Sequence, residues 1–342
     1  MDTASARPQR HGDVLVERRA LCRLLSSAAL ITFGIAEARS PAKTFHVGVL
    51  AIGTAPGQRL SLNNFEYELA RLGLVKGVNL VINTRYANSD PSLLESLAAE
   101  LVALRPDLIL AASGTAGALA AKKATRTIPI VFGAGDPVAA GLISSLAHPG
   151  GNLTGNMLPS GLDLKRLQIL MEVLGTSAPL AVLSVPLSEA RKKAFLDVYP
   201  KLGLGRGGRL QFEEVRSGED LASAFEHMAR ERIAGVVVGL SPLTSVNQVQ
   251  IAALAAKHRL AAIGDGDDYV KAGFLFSYSV DWSELDRRAA HFVYKILKGA
   301  NPGDLPIEQV TKFNFVVNLK TARLLGVRIP QSLLLRADRV IE

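Results

Sequence analysis

Cysteine is almost absent from this chain of 342 residues, which contains only Cys22. A single cysteine forms no intramolecular disulfide and supplies no Cys-x-x-Cys metal or redox motif. Enzymes that need paired catalytic thiols are excluded for the same reason. Histidine is also scarce, and the spacing of the six His residues forms no H-x-x-x-H or similar pair of metal ligands. The sequence therefore predicts no metal site and no thiol chemistry.

Aromatic residues and long apolar runs are sparse as well. Phe, Trp and Tyr make up 6% of the chain, too few for a base-stacking platform. The net charge is +8, but the basic residues are dispersed, so we expect a solvated surface and no nucleic-acid partner. No second long apolar run follows the N-terminus, which excludes a bundle of transmembrane helices. The composition, 48% apolar and 20% charged, is typical of a globular protein, and the length predicts roughly two domains.

Motifs for catalysis and cofactor binding are missing. The chain has no G-x-S-x-G elbow, no phosphate loop and no Ser–His–Asp set that spacing would suggest. The segment 203–208 fits G-x-G-x-x-G by letter, but it follows a predicted helix and precedes a predicted strand, the reverse of a dinucleotide site. The sequence therefore predicts no cofactor and no catalytic residue.

Residues 1–38 have the three parts of a secretory signal peptide. Arginines come first, an uncharged apolar run follows from Leu24 to Ala36, and Ala36-Glu37-Ala38 is a small-x-small cleavage site. The run is too short to span a bilayer, which takes about 20 residues. We expect cleavage after Ala38, a periplasmic location and no membrane insertion afterwards. A buried amphipathic helix is the alternative, and Arg18-Arg19 leaves the choice between Sec and twin-arginine export open.

Strand and helix patterns alternate along the rest of the chain. Apolar runs such as His46–Ile52 and Asp107–Ala112 alternate with helical segments such as Pro91–Leu104. This alternation indicates parallel sheets covered by helices on both faces. Two successive blocks of it predict an α/β fold of two doubly wound, Rossmann-like lobes. The Gly- and Pro-rich stretch 148–155 places the boundary between them near 156–162.

The turns that follow the strands are the candidate site, because ligands bind beyond the carboxyl ends of strands in open parallel sheets. These turns are small, polar and rich in glycine, which lets backbone groups approach a ligand. Ser113-Gly114-Thr115 opens a helix whose free N–H groups and positive end suit a carboxylate or phosphate. Ordinary helix capping is the alternative for this turn.

Acidic residues occupy two further strand ends. Asp136-Pro137 suits a ligand ammonium, or else it caps the next turn. Asp265, Asp267 and Asp268 suit a cation or an amine, although their spacing is not that of an EF-hand, and capping of a short helix near Tyr269 is the alternative. The complete set of candidate ligand-binding residues is Gly53, Thr54, Ser113, Gly114, Thr115, Asp136, Pro137, Pro186, Ser241, Thr244, Asp265, Asp267 and Tyr278.

A series of short motifs extends over the chain from about Lys43 to Glu342. It includes TIPIVF at 127–132, GDPV at 135–138, HPGGNLTG at 148–155 and NLKTA at 318–322. Each motif is modest alone, but in this order and number they resemble the substrate-binding protein family of ABC transporters that includes the TrpX-type proteins.

The resemblance implies a type I periplasmic-binding fold, in which two lobes joined by three crossovers close on a small ligand. It implies lobe one at 44–158 plus 281–300, and lobe two at 159–280 plus 305–342. The implied ligand is an amino acid or another carboxylate, and the family's carboxylate site resembles the turn at Ser113. The implied partners are an ABC permease and its ATPase, and the protein is expected not to be an enzyme.

Two alternatives stay open at this point. A module that binds a ligand for a membrane receptor would have the same sequence features. A cleft enzyme would need a base or a metal, and Asp136 and the acidic residues at 265–268 are the only candidates for that role.

Overall fold

The computed structural model describes residues 43–55, 59–202 and 208–342, and from Thr44 to Glu342 the described residues form one compact unit. The predicted signal peptide and most of the 203–208 segment lie outside the described residues. None of the described helices has both the length and the hydropathy that a membrane span requires.

Strands and helices alternate along the described chain as the sequence predicts. The strands are β1 Phe45–Ala51, β2 Leu80–Tyr86, β3 Leu108–Ala112, β4 Ile130–Ala134, β5 Leu153–Met157, β6 Leu180–Ser184, β7 Leu210–Glu214, β8 Gly235–Val238, β9 Ala261–Gly264, β10 Phe276–Val280, β11 Glu308–Gln309, β12 Phe313–Asn318 and β13 Arg339–Ile341. The helices are α1 Arg59–Arg71, α2 Leu94–Ala103, α3 Gly114–Ala124, α4 Leu162–Leu174, α5 Glu189–Val198, α6 Asp220–Arg230, α7 Pro242–Val246, α8 Gln248–Lys257, α9 Asp267–Ala272, α10 Trp282–Leu297, α11 Leu319–Leu325 and α12 Gln331–Leu334.

The strands form two sheets with the same winding. The first has the order β11-β5-β4-β3-β1-β2 and the second the order β13-β12-β10-β9-β8-β6-β7. Neighbouring strands are parallel, except that β12 runs antiparallel to β10. In each sheet the winding reverses once, between β1 and β3 and between β6 and β8, which are the topological switch points of doubly wound folds. The predicted fold class is confirmed.

The chain passes between the sheets three times. It crosses after β5 into α4, after β10 into α10, and after β11 into β12. The resemblance implied a return to lobe two from about residue 305. This is too early, because Glu308–Gln309 pairs in parallel with Asn156 and Met157 of β5 in the first sheet. The last crossing therefore follows Gln309.

Each sheet is buried on both faces, which explains the continuous apolar runs of its strands. In β6, Leu180 and Val182 pack into one core cluster, while Ala181 and Leu183 pack into the cluster on the opposite face. Ser184 ends β6 and follows Val182 by two residues, so it lies on the same face of the sheet. That face is covered by α4 and α5, which contribute Leu167 and Phe195 to its core.

Strand β5 is absent from the sequence prediction, which interprets 148–155 as a boundary segment. The obstacle is Gly155, an unfavourable residue for a strand interior. Its φ of +151° lies where side chains are rarely accommodated, and a Cβ on it would overlap the backbone of Phe132 in β4. The glycine is therefore required for the close pairing of β4 with β5.

We expect Gly155→Ala to lower the free energy of unfolding by about 3 kcal/mol, because the added Cβ meets backbone atoms of Phe132 and not a flexible side chain. Gly151→Ala is the matched control, since Gly151 also has positive φ (+61°) but nothing within 4 Å of a Cβ. Its cost should be only about 1 kcal/mol of backbone strain. Urea denaturation measures both, and equal losses would contradict the role given to Gly155.

Candidate functional site

The carboxyl ends of β1 and β3 meet at the switch point of the first sheet. The Ser113 hydroxyl donates a hydrogen bond of 2.8 Å to the carbonyl of Leu50 and so ties the two strand ends together. This use leaves the first turn of α3 without a side-chain cap. The N–H groups of a first helical turn have no partner within the helix. The turn therefore keeps backbone donors at a positive helix end, as an anion site requires.

Glycine and threonine complete this turn. Gly114 adopts a φ of +61°, and no atom lies within 4 Å of where its Cβ would be. The Thr115 hydroxyl accepts a hydrogen bond of 3.4 Å from the N–H of Gly135, which follows β4. The ends of β3 and β4 are thereby joined at the first turn of α3.

The other predicted residues of lobe one lie along the same edge. Gly53 and Thr54 follow β1, and the carbonyl of Gly53 accepts a hydrogen bond from Asn88. Asp136 is exposed, and its Oδ1 accepts hydrogen bonds from the next turn. Pro137 is buried in that turn. The structure thus shows Asp136 acting as a cap, the alternative that the sequence left open, and it places the residue beside the α3 turn.

Predicted residues of lobe two have mainly structural contacts. Ser241 and Thr244 form a reciprocal capping box at the start of α7. Thr244 is fully buried, and its hydroxyl donates to the carbonyl of Gly239 at 2.7 Å. Asp267 forms an ion pair of 2.8 Å with Arg339, and Pro186 is exposed after β6.

Arg166, which the sequence analysis does not select, is the centre of a buried ionic cluster at this edge. Its side chain is 3% exposed and donates to the carboxylate of Asp265, to Asp163 at 2.7 Å and to the carbonyl of Tyr278 at 2.8 Å. The side chain of Asp265 is 2% exposed. Burial raises the pKa of Asp265, and the charge of Arg166 acts in the opposite direction. The indole N–H of Trp282, at the start of α10, also favours the ionised form.

Tyr278, the last predicted residue, contributes to this cluster through its backbone. Its ring stacks on Phe313 with centroids 5.7 Å apart, and burial raises the pKa of its hydroxyl. The ring is packed against the core cluster under α4. The structure therefore brings Asp265 and Tyr278 together through Arg166.

A small cavity, called here the lobe-two cavity, opens at the switch point between β6 and β8. Its volume is about 60 Å³, and it is lined by Asp163 of α4, Ser184 of β6, Arg191 and Phe195 of α5, and Ser241 before α7, among others. Its polar lining and its position at the carboxyl edge are those expected of a ligand subsite.

A larger open groove of about 1110 Å³ lies along the outer face of α3. Its lysines are already engaged, since Lys122 donates to the carbonyls of Gly141 and Leu142 and Lys123 pairs with Glu95. The groove includes residues that precede β4 and β5, at the amino ends of those strands. It is not the strand edge at which doubly wound sheets bind ligands.

Within the described ranges, no group of three or more His, Cys, Asp or Glu side chains is arranged to hold a metal ion.

One sequence signal for Arg166 exists. Within α4, Arg166 precedes Ile169 and Leu170 by three and four residues, which places it on the buried stripe of the helix. A charged residue on such a stripe needs a buried partner. The partner, Asp265, is 99 residues away, so the sequence alone does not identify it.

Comparison with known proteins gives a consistent result. Residues 46–341 match the family described as ABC transporter substrate binding protein. A tyrosine-binding protein of Clostridioides difficile is 25% identical over 293 residues, which cover 84% of this chain and 82% of that protein.

Two solved structures share the fold over 87% of this chain and 100% of theirs. A conserved domain protein from Vibrio cholerae has a TM-score of 0.76 at 25% identity. An ABC domain from Streptococcus pneumonia in complex with L-Trp has a TM-score of 0.75 at 23% identity. Family members are solute-binding proteins and not enzymes, so the cleft-enzyme alternative is set aside.

We expect Arg166→Met to lower the free energy of unfolding by about 3–5 kcal/mol, because two carboxylates would lose their buried partner. Lys123→Met is the control, since its ion pair with Glu95 is exposed on both sides and should contribute less than about 1 kcal/mol. Urea denaturation of both variants gives the comparison. A similar, small loss in the two variants would show that the buried cluster does not stabilise lobe two.

Proposed function

The chain belongs to the family of ABC transporter substrate-binding proteins, which bind small ligands such as amino acids, and we propose that it captures a small carboxylic acid between its two lobes. The observation that carries this proposal is the uncapped first turn of α3 at the switch point of lobe one. The ligand carboxylate accepts hydrogen bonds from the backbone N–H groups at Gly114 and Thr115, where the helix dipole favours negative charge. Amino acids are the first ligands to test, because relatives include a tyrosine-binding protein and a domain in complex with L-Trp.

The ammonium group of an amino acid has a partner at the same edge. Asp136 follows Gly135, whose N–H donates to Thr115, so the residue lies beside the α3 turn. Of the other predicted acidic residues, Asp265 is buried in the ionic cluster. Asp267 and Asp268 form ion pairs with Arg339 and Lys271. Asp136 is exposed. We therefore assign the ammonium to Asp136.

Delivery of the ligand to a permease and its ATPase is the second part of the proposal. The signal peptide predicted at residues 1–38 would export the chain to the periplasm. Hinge closure at the three crossovers would bury the ligand and present one closed surface to the membrane partner.

A screen of the chain from Arg39 onward tests the ligand class. Each L-amino acid and a set of aromatic carboxylic acids is added separately, with sugars and metal ions as comparison ligands, and thermal unfolding is followed. A ligand at 100 times its dissociation constant adds about 2.7 kcal/mol to the free energy of unfolding, which gives a clear rise in melting temperature. Stabilisation only by sugars or metal ions would contradict the proposal.

The position of the carboxylate is tested by Thr115→Val. Calorimetry should show affinity for the ligand found in the screen reduced about tenfold, because the turn loses a hydroxyl at the anion site. Thr125→Val, at the other end of α3, is the control: its hydroxyl accepts from Ile128, so stability should fall while affinity stays unchanged. If Thr115→Val and Thr125→Val bind the ligand with equal affinity, the α3 turn is not part of the binding site.

A further inference from the structure

Ser184 carries a hydroxyl that accepts and donates no hydrogen bond within the described part of the chain. The residue is 6% exposed, and its Oγ is buried without a hydrogen-bond partner among the described residues. A buried hydroxyl that bonds neither protein nor water destabilises the folded state. Ser184 also lines the lobe-two cavity, which makes its hydroxyl the candidate partner for a polar group that enters the cavity.

The charges around the cavity balance one another. Asp163 lies 2.7 Å from Arg166 and 3.9 Å from Arg191, and Arg166 also pairs with Asp265. Two carboxylates thus face two guanidinium groups, and the cluster has no net charge. An additional buried charge would find no counter-ion there, so the cavity suits a neutral polar group.

The size and walls of the cavity further restrict which neutral polar group fits it. Its volume of about 60 Å³ exceeds the roughly 10–15 Å³ that one water requires. Phe195 and Leu187 supply apolar surface beside Ser184 and Asp163. The Ser241 hydroxyl is used in its capping box and Arg191 pairs with Asp163. An apolar wall, the Ser184 hydroxyl and the Asp163 carboxylate then remain, which matches a hydroxyl group carried on a carbon skeleton. The carboxylate accepts its proton, and Ser184 donates or accepts.

We propose that the lobe-two cavity is a specificity subsite that takes a hydroxyl group at the far end of the ligand. The assignment rests on the proposed function, in which lobe one holds the carboxylate of the same ligand. The switch points of the two sheets, at β1/β3 and β6/β8, then take the two ends of one molecule. Hydroxylated acids bind more tightly than their deoxy counterparts, because a deoxy ligand leaves the Ser184 hydroxyl without a hydrogen-bond partner.

The first test uses the full chain and pairs of acids that differ by one distal hydroxyl. Isothermal titration calorimetry compares L-tyrosine with L-phenylalanine, L-homoserine with L-2-aminobutyrate, and 4-hydroxybenzoate with benzoate. In the pair that binds, we expect the hydroxylated acid to have an affinity about tenfold higher. Equal affinities within every pair that binds, or tighter binding of the deoxy acid, would overturn the subsite and leave the proposed function standing. If no acid of either kind binds, the proposed function fails and the subsite fails with it.

The second test assigns the preference to one atom. Ser184→Ala should lower the affinity for the hydroxylated acid about tenfold and leave that for the deoxy acid unchanged, so that their ratio approaches one. Ser277→Ala is the matched control, because Ser277 lies in the same sheet and its buried hydroxyl has no partner among the described residues, but it does not line the cavity. A ratio that is unchanged in Ser184→Ala, or lost equally in Ser277→Ala, would overturn the assignment.

Discussion

The buried guanidinium of Arg166 is the interaction on which the organisation of lobe two depends. It lies on the helix that follows the first crossover and contacts the end of β9 through Asp265 and β10 through the carbonyl of Tyr278. β10 leads directly into the second crossover. One side chain therefore links the helix that follows the first crossover to the strand that precedes the second, and a buried charge of this kind is stable only while all its partners remain in place.

The fold could be predicted largely from the sequence, because buried parallel strands are continuous apolar runs and helices have a different period. The exceptions have local causes. β5 is hard to recognise in the sequence because it contains Gly155. The glycine is needed there because a side chain would collide with Phe132 in the neighbouring strand. Helix α7, Pro242–Val246, is too short for a helical period to indicate it. Glu308–Gln309 is too short a strand for any periodicity to indicate it.

The candidate site could be located from the sequence only as an edge of a sheet. The strand-end rule directs attention to the turns, but it does not show how each side chain is used. The hydroxyls of Ser113 and Thr244 bond to backbone carbonyls of their own lobes. The helical period marks Arg166 as a charge on a buried stripe, but it does not identify the partner, which lies 99 residues away. Ser184 becomes a candidate only when the structure shows that its hydroxyl is buried without a partner among the described residues.

The central claim is that a small acid binds at the carboxyl edges of the two sheets, next to the crossovers. Trp282 is the only tryptophan of the chain and lies beside Asp265 and Gly266 at the second crossover. The direct test is to titrate the protein with an acid that binds by calorimetry and lacks an indole, and to follow the fluorescence of Trp282. A saturable change with the calorimetric dissociation constant is predicted. Calorimetric binding with unchanged emission would contradict the account and move the ligand elsewhere, for example to the groove along α3.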